Sequence, residues 1–442
     1  VRTRKMSQCV EQIRHVCTLG AFESVLAIKR AVPIVHAGPG CVAKLWTTLG
    51  SQNGHQGSGY VGGHAIPCTN ASEKEVVFGG TDQLRKVITN TFDVIDGDLF
   101  VVLTGCTSDI IGDDVGEVTR KFQDQGKPIV YVETGGFKGS NLVGHELVLD
   151  AIIDQYLQPQ QVEPGLVNIW SSVPYQNTFW SGDIEQLNIL ISSLGLKPNV
   201  IFGPDSSVEA LNNIPKAQFN LVISPWVGLR NAEHLEDKFG TPFLHYPALP
   251  VGPTETSNFL RAVGEFAGID PSVVENVIRK QEERYFYYLE RAADTLLETR
   301  LLPRRFITVA DSLYALGIAR FLTNDMGLIP EKQFITDDTP IKFQDSVSAE
   351  FKKFTSDIVA ETVFSNDGGF VEEEIRKLKI RSRPIILGSS WERVVARDLN
   401  AYQLSVSAPI GNEMVLSKSY VGYNGALQLV EDIYSVVLND FM

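Results

Sequence analysis

Cysteine is scarce in this chain and confined to one end. The five residues are Cys9, Cys17, Cys41, Cys68 and Cys106, and none follows. An odd, sparse set in 442 residues excludes a dense disulfide framework and points to a reducing compartment, the cytoplasm. No apolar run approaches the ~20 residues that span a bilayer. The basic start, Val1-Arg2-Thr3-Arg4-Lys5, lacks the apolar stretch of a signal peptide after it. Positive charge is also short: 39 Lys and Arg face 53 Asp and Glu, a net charge of −14. No basic stripe is left to track a phosphate backbone, which argues against nucleic acid. Apolar residues are not lacking. At 43% hydrophobic and 21% charged, the chain can build two or three cores and is not expected to be disordered.

The pattern is α/β throughout, with short Val- and Ile-rich runs that end in Gly or Pro and lead into helical periodicity. Strands are predicted at Val32–His36, Leu99–Thr104 and Pro128–Glu133, then at Leu166–Trp170, Asn199–Phe202, Asn220–Ser224 and Pro242–Tyr246. A third set is predicted at Arg305–Ala310, Gln333–Thr336, Pro384–Leu387 and Leu404–Ser407. Helices are predicted at Asp183–Leu194, Pro271–Leu302 and Gly425–Leu438, and a polar linker at Gln158–Pro164. Alternating strands and helices imply parallel sheets covered on both faces. The expectation is three tandem Rossmann-like domains, over residues 1–160, 165–300 and 303–442, alike in shape and not in sequence.

Two cysteines stand just past the carboxyl end of a hydrophobic strand. Cys41 closes the run Val32-Pro33-Ile34-Val35-His36-Ala37-Gly38-Pro39-Gly40-Cys41, and Cys106 closes Leu99-Phe100-Val101-Val102-Leu103-Thr104-Gly105-Cys106. Ligands of open α/β sheets bind at that edge, and flanking glycines let backbone approach a bulky group. Cys17 precedes a helix-like stretch. Three loop thiolates suit iron–sulfur ligation. There is no C-x-x-C, however, and three cysteines do not close a four-cysteine cluster, so on spacing alone buried or redox cysteine remains open.

The segments together resemble the nitrogenase component 1 family. They are Val35 to Cys41, then Val77-Phe78-Gly79-Gly80, then Gly105-Cys106-Thr107-Ser108-Asp109-Ile110-Ile111-Gly112-Asp113-Asp114, then Thr134-Gly135-Gly136-Phe137-Lys138-Gly139-Ser140. Weaker pieces follow in order at Thr178 to Gly195, Pro250-Val251-Gly252, Arg305 to Gly327, Gly388-Ser389-Ser390 and Gly422-Tyr423-Asn424-Gly425-Ala426. The likeness spans nearly the whole chain. It implies a heteromer of D-type and K-type chains, expected as a heterotetramer, that share an eight-iron, seven-sulfur cluster (the P-cluster) at their interface. Cys17, Cys41 and Cys106 match this chain's three ligands. The resemblance also implies a separate ATP-dependent Fe protein that donates single electrons. Phe78 matches a residue on the surface that docks it. Core packing and docking both remain open for Phe78.

The D-type chain of the family holds the catalytic cofactor through a mid-chain Cys and a late His. This sequence has no Cys after Cys106 and no His after His245, so the resemblance implies a K-type (β) subunit, with that cofactor in the partner. Two features depart from the family's nitrogenases. Gly136 stands where many have a Ser that can ligate the oxidised P-cluster. The stretch from Gly50 to Pro67 is long and Gly-rich, unlike the molybdenum, vanadium and iron-only K chains. They point to a nitrogenase-like reductase outside the dinitrogen-reducing groups, with methylthio-alkane reductases, which cleave C–S bonds, as the expectation. A dinitrogen-reducing β subunit, a cofactor-assembly scaffold and a cluster-free α/β binding protein are the rival readings.

Other signals have plainer explanations. Gly57-Ser58-Gly59-Tyr60-Val61-Gly62 fits G-x-G-x-x-G, but loop precedes it where a dinucleotide site needs a strand. Cys9 and Cys68 are expected to be free structural thiols. Asp113 and Asp114 follow Ile-Ile-Gly at an expected helix start, where capping accounts for them without acid–base chemistry. His36 and His64 are expected to be hydrogen-bonded structural residues. Tyr285-Phe286-Tyr287-Tyr288 is expected to pack a helix. Backbone N–H groups near Gly38, Gly40 and Gly105 are expected to face the cluster sulfurs.

Overall fold

The computed structural model of the protein describes residues 10–56, 66–299 and 302–440. Cys9, His64 and the Gly57–Gly62 run lie outside the described residues. Three parallel sheets flanked by helices make up the fold. The first has the order β1 (Ala31–His36), β2 (Leu99–Thr104), β3 (Ile129–Val132). The second contains β4 (Glu163–Trp170), β5 (Lys197–Asn199), β6 (Ala217–Ile223) and β7 (Phe243–Tyr246), in the order β5-β4-β6-β7. The third contains β8 (Arg305–Ala310), β9 (Ile329–Ile335), β10 (Thr362–Phe364), β11 (Ile385–Gly388) and β12 (Tyr402–Ser405), in the order β10-β9-β8-β11-β12. β1 and β2 are buried at every residue, as expected of parallel strands covered on both faces.

The expected strands are present, with three instructive differences. The Asn199–Phe202 run ends β5 at Asn199 instead of forming it. Ile201 and Phe202 leave the sheet to join the apolar core around β1 and β2, and the Gly203 N–H donates to the Ala27 carbonyl at 3.0 Å. β10 was not expected. It is a three-residue edge strand, half-buried throughout, too short to show an apolar run. The long helix runs Pro271–Thr299, but of its aromatic run only Tyr285 is buried. Phe286, Tyr287 and Tyr288 are exposed, because neighbours on a helix point about 100° apart and cannot all face one core.

Each sheet is confined to its own stretch of chain, but the cores are not. One apolar cluster joins the first sheet to Trp170 of the second, to Phe202 just beyond it and to Leu235 of a flanking helix. Another runs from Val167 and Phe219 through Tyr314 and Phe321 to Leu429 near the end. The N-terminal segment adds a further tie. Gly368 N–H donates to the Glu11 carbonyl at 2.7 Å. The buried Arg14 guanidinium forks onto Glu392, with one arm at 2.8 Å, and reaches Ser389 Oγ at 3.2 Å. The segment thus crosses the carboxyl ends of the third sheet before it reaches Cys17.

Candidate cysteine site

The first sheet's register builds most of the site. His36 pairs with Thr104 at the carboxyl edge, so the chain leaves β1 and β2 side by side. The two exits nearly touch: a Cβ on Gly105 would lie 2.6 Å from Ala37 Cβ. From there Cys41 is the third residue of helix Pro39–Trp46, with proline at its first position and Gly38 as N-cap. Proline suits that position because its missing N–H has no helical partner there. Cys106 opens helix Cys106–Ile111, capped by Gly105. Both thiols are exposed and free of disulfide.

Cys17 arrives from the other side. It bridges antiparallel to Ser140, and Thr18 N–H donates to the Gly139 carbonyl at 3.2 Å. The Thr18 hydroxyl reaches the carbonyls of Thr134 and Gly135 at 2.7 and 2.9 Å. This clamps the Cys17 segment to the Gly135–Gly139 turn. The turn is also held by Asp109, whose carboxylate accepts from Gly135 N–H at 3.0 Å and lies 3.3 Å from Lys138 Nζ. Gly136 then sits between two cysteines. Its N–H donates to Cys106 Sγ at 3.1 Å. A Cβ there would lie 3.0 Å from Cys17 Cβ and 3.1 Å from Cys106 Sγ.

Electrostatics show the same grouping. Burial first, and then the neighbouring Cys17, Cys106 and Cys68, push the Cys41 thiol above its ordinary value. Burial likewise raises Cys17, with a smaller contribution from Cys106. Cys68 is half-buried and free, as expected. It accepts from Asn70 N–H and lies against the Ala37 carbonyl, each at 3.4 Å, and burial raises it too. Among the described residues no three His, Cys, Asp or Glu side chains converge on a single metal ion.

Several expectations about single residues are revised or refined. Asp114 caps helix Val115–Gln123 by accepting from Glu117 N–H at 2.7 Å. Asp113 does not share that role. Its carboxylate takes Gly80 N–H at 2.8 and 3.1 Å and sits 2.9 Å from His36 Nε2. His36 is fully buried and also meets Thr69 Oγ1 at 3.0 Å, a hydrogen-bonded structural position as expected. Burial pushes its imidazole below the ordinary value against the pull of Asp113. The Gly105 N–H is occupied by the His36 carbonyl at 2.9 Å, and the backbone donor that meets Cys106 Sγ is that of Gly136, at 3.1 Å. Phe78 is not core: it is 82% exposed at the end of helix Glu73–Phe78. That helix packs against helix Cys106–Ile111, and Val77, Ile110 and Phe137 are exposed beside these elements.

Sequence reasoning missed the roles of Thr18, Asp109 and Arg14. Asp109 had a readable signal, since it lies three residues after Cys106 and so on the same helix face. Arg14 had none, because its partner is 378 residues away.

An α/β protein of three parallel sheets, with a cysteine cradle at the carboxyl edge of the first, defines the class. The chain belongs to the nitrogenase component 1 type oxidoreductases, whose family profile matches residues 17–438, and it is a β-type member. It is 25% identical over 456 residues to the nitrogenase molybdenum-iron protein beta chain of Methanococcus maripaludis, covering 96% of this chain and 93% of that one. It is 25% identical over 350 residues to one of the subunits of the light-independent protochlorophyllide reductase of Leptolyngbya boryana, covering 76% and 66%. A nitrogenase molybdenum-iron protein alpha chain of Azospirillum brasilense is 32% identical over 263 residues, 56% of this chain and 52% of that one. The solved structure titled nitrogenase Cp1 at pH 6.5 superposes with a TM-score of 0.81 at 20% identity, covering 100% of this chain and 95% of that one, which establishes the shared fold. No helix among the described residues is long and apolar enough to cross a membrane.

Proposed function

We propose that this chain is the K-type subunit of a nitrogenase-like two-component reductase and that Cys17, Cys41 and Cys106 supply its half of an interfacial P-cluster. The observation that carries the reading is Gly136, whose N–H donates to Cys106 Sγ while its bare Cα faces Cys17. The cradle fits such a group. Its thiols are unpaired, two are exposed, and one rim is a glycine turn that admits bulk where a side chain would not. When bound, the cluster stores and passes single electrons between an ATP-dependent Fe protein and the cofactor of a D-type partner. The chain's own work is to present three thiolates, to keep water from the buried side through Cys17 and its Thr18 clamp, and to donate Gly136 N–H to one sulfur. Burial and the neighbouring thiols raise Cys17 and Cys41 above their ordinary values, and a bound metal would offset that cost of deprotonation.

An open cradle needs a second subunit to close it, so the assembly is a D-type/K-type heteromer, with the Fe protein docking on the exposed Phe78 surface. For the substrate, the reading is reductive C–S cleavage of methylthio-alkanes. Gly136 supports divergence from Ser-ligating nitrogenases, because a Cβ there already crowds both cysteines. Near full-length similarity to a nitrogenase beta chain favours dinitrogen as the second reading. The test supplies the purified complex with Fe protein, ATP and reductant, and offers each substrate in turn. Methanethiol with little ammonia is expected; efficient ammonia formation without thiol would overturn the substrate assignment. Iron analysis of the same complex separates a cluster protein from a cluster-free one.

A further inference from the structure

We propose that the His36–Asp113 pair is a positioning strut that ties the Phe78 docking helix to both flanks of Cys106, so that seating of the Fe protein is relayed to the edge of the cluster site. The proposal deepens the docking reading above and rests on it. The connection is continuous. After Phe78 the chain turns through Gly79, whose φ of +87° is a conformation that glycine adopts without strain. The next N–H, that of Gly80, lands on both oxygens of Asp113. Gly80 must be glycine for this approach, since a Cβ would lie 2.7 Å from Asp113 Oδ2 and 2.7 Å from His36 Cε1.

From Asp113 the path divides toward the cysteine. Oδ2 meets His36 Nε2 at 2.9 Å. The His36 carbonyl accepts from Gly105 N–H at 2.9 Å and from the Ser108 hydroxyl, one residue before and two after Cys106. Asp113 also returns through its own N–H to the Ser108 carbonyl at 3.2 Å. The two side chains are 0% and 4% exposed. Water therefore does not compete for these bonds, and bonds to a buried carboxylate are short and stiff. Capping alone does not require this arrangement: the helix that follows Asp113 is already capped by Asp114. Gly79, at positive φ, sets the turn after Phe78, and the Gly80–Asp113 contact joins that turn to the buried pair.

The test uses the holo-complex with His36→Gln and, separately, Asp113→Asn, which keeps the shape of the side chain. Four quantities are read: iron content, Fe protein affinity, the rate of one-electron transfer from the Fe protein, and the rate of cluster reduction by dithionite, which bypasses docking. The expected result is unchanged iron, affinity and dithionite rate, with Fe-protein-driven transfer slowed about tenfold. An unchanged transfer rate overturns the proposal. So does slowing that only follows weaker docking, or equal loss of iron in both variants, since the pair would then merely shape the surface or hold the fold. A wild-type complex that binds no Fe protein, or a Phe78→Ala complex that binds it normally, overturns the docking reading itself, and the two failures are thereby told apart.

Discussion

Tyr314 donates its phenolic hydrogen to the Asp183 carboxylate at 2.6 Å, joining a helix beside the third sheet to one beside the second. Ser172 and Ser419 donate to the same carboxylate at 2.9 and 2.7 Å. Three donors favour the charged form, but complete burial outweighs them and the carboxyl is pushed up to about 7. Between its unfolded value near 3.8 and about 7, the folded state binds the extra proton. This contribution to stability is therefore present at low pH and lost as pH rises through that window. Asp183→Asn cannot ionise. Urea unfolding from pH 4 to 8 should show the variant gaining on the parent as pH rises, at a limiting slope of about 1.4 kcal/mol per pH unit. A pH-independent difference would contradict it.

Cys106→Ala tests the proposed ligand set at the point where Gly136 N–H meets sulfur. The purified complex is expected to lose iron and Fe-protein-driven turnover, with Cys17→Ala and Cys41→Ala behaving alike. Iron content and activity equal to the parent would refute the ligand assignment.

Gly144→Ala tests the seat of Cys17. A Cβ on Gly144 would fall 2.2 Å from the Thr18 carbonyl oxygen, and backbone at that range has to move. Overpacking of this kind costs about 1–3 kcal/mol. The denaturation midpoint should fall, and bound iron should fall with it, because the displaced residue is the neighbour of Cys17.

Glu392→Ala leaves the buried Arg14 guanidinium without its carboxylate. Breaking a buried pair costs about 3–5 kcal/mol, whereas Glu392→Gln, which keeps a hydrogen-bond acceptor, should cost less. Thermal unfolding should rank the two variants in that order. If the N-terminal segment delivers Cys17, iron occupancy will follow the same rank.

Much of the site was legible without coordinates. Cys41 and Cys106 each end a continuous apolar run closed by glycine, and such runs become strands buried on both faces whose carboxyl edges hold ligands. The exposure of Phe78 was not legible, since an apolar run such as Val-Val-Phe reads equally well as core. The partner of Asp113 was hidden for a related reason. A carboxylate beside a helix start has a local explanation in capping, and the local explanation masked a contact with His36, 77 residues away.

The sequence by itself determined the α/β alternation, the placement of the cysteines and the absence of a late Cys or His. These are properties of short segments, governed by periodicity, backbone preference and the chemistry of single side chains. Only the tertiary structure decided that Gly136 lies between Cys17 and Cys106, that Arg14 anchors the N-terminal segment to Glu392, and that Ile201 and Phe202 desert their strand for another core. Each of these depends on contacts between segments far apart in the chain. Such contacts form because burying apolar surface and pairing buried polar groups lowers the free energy of the whole fold, a quantity that no local stretch of residues contains.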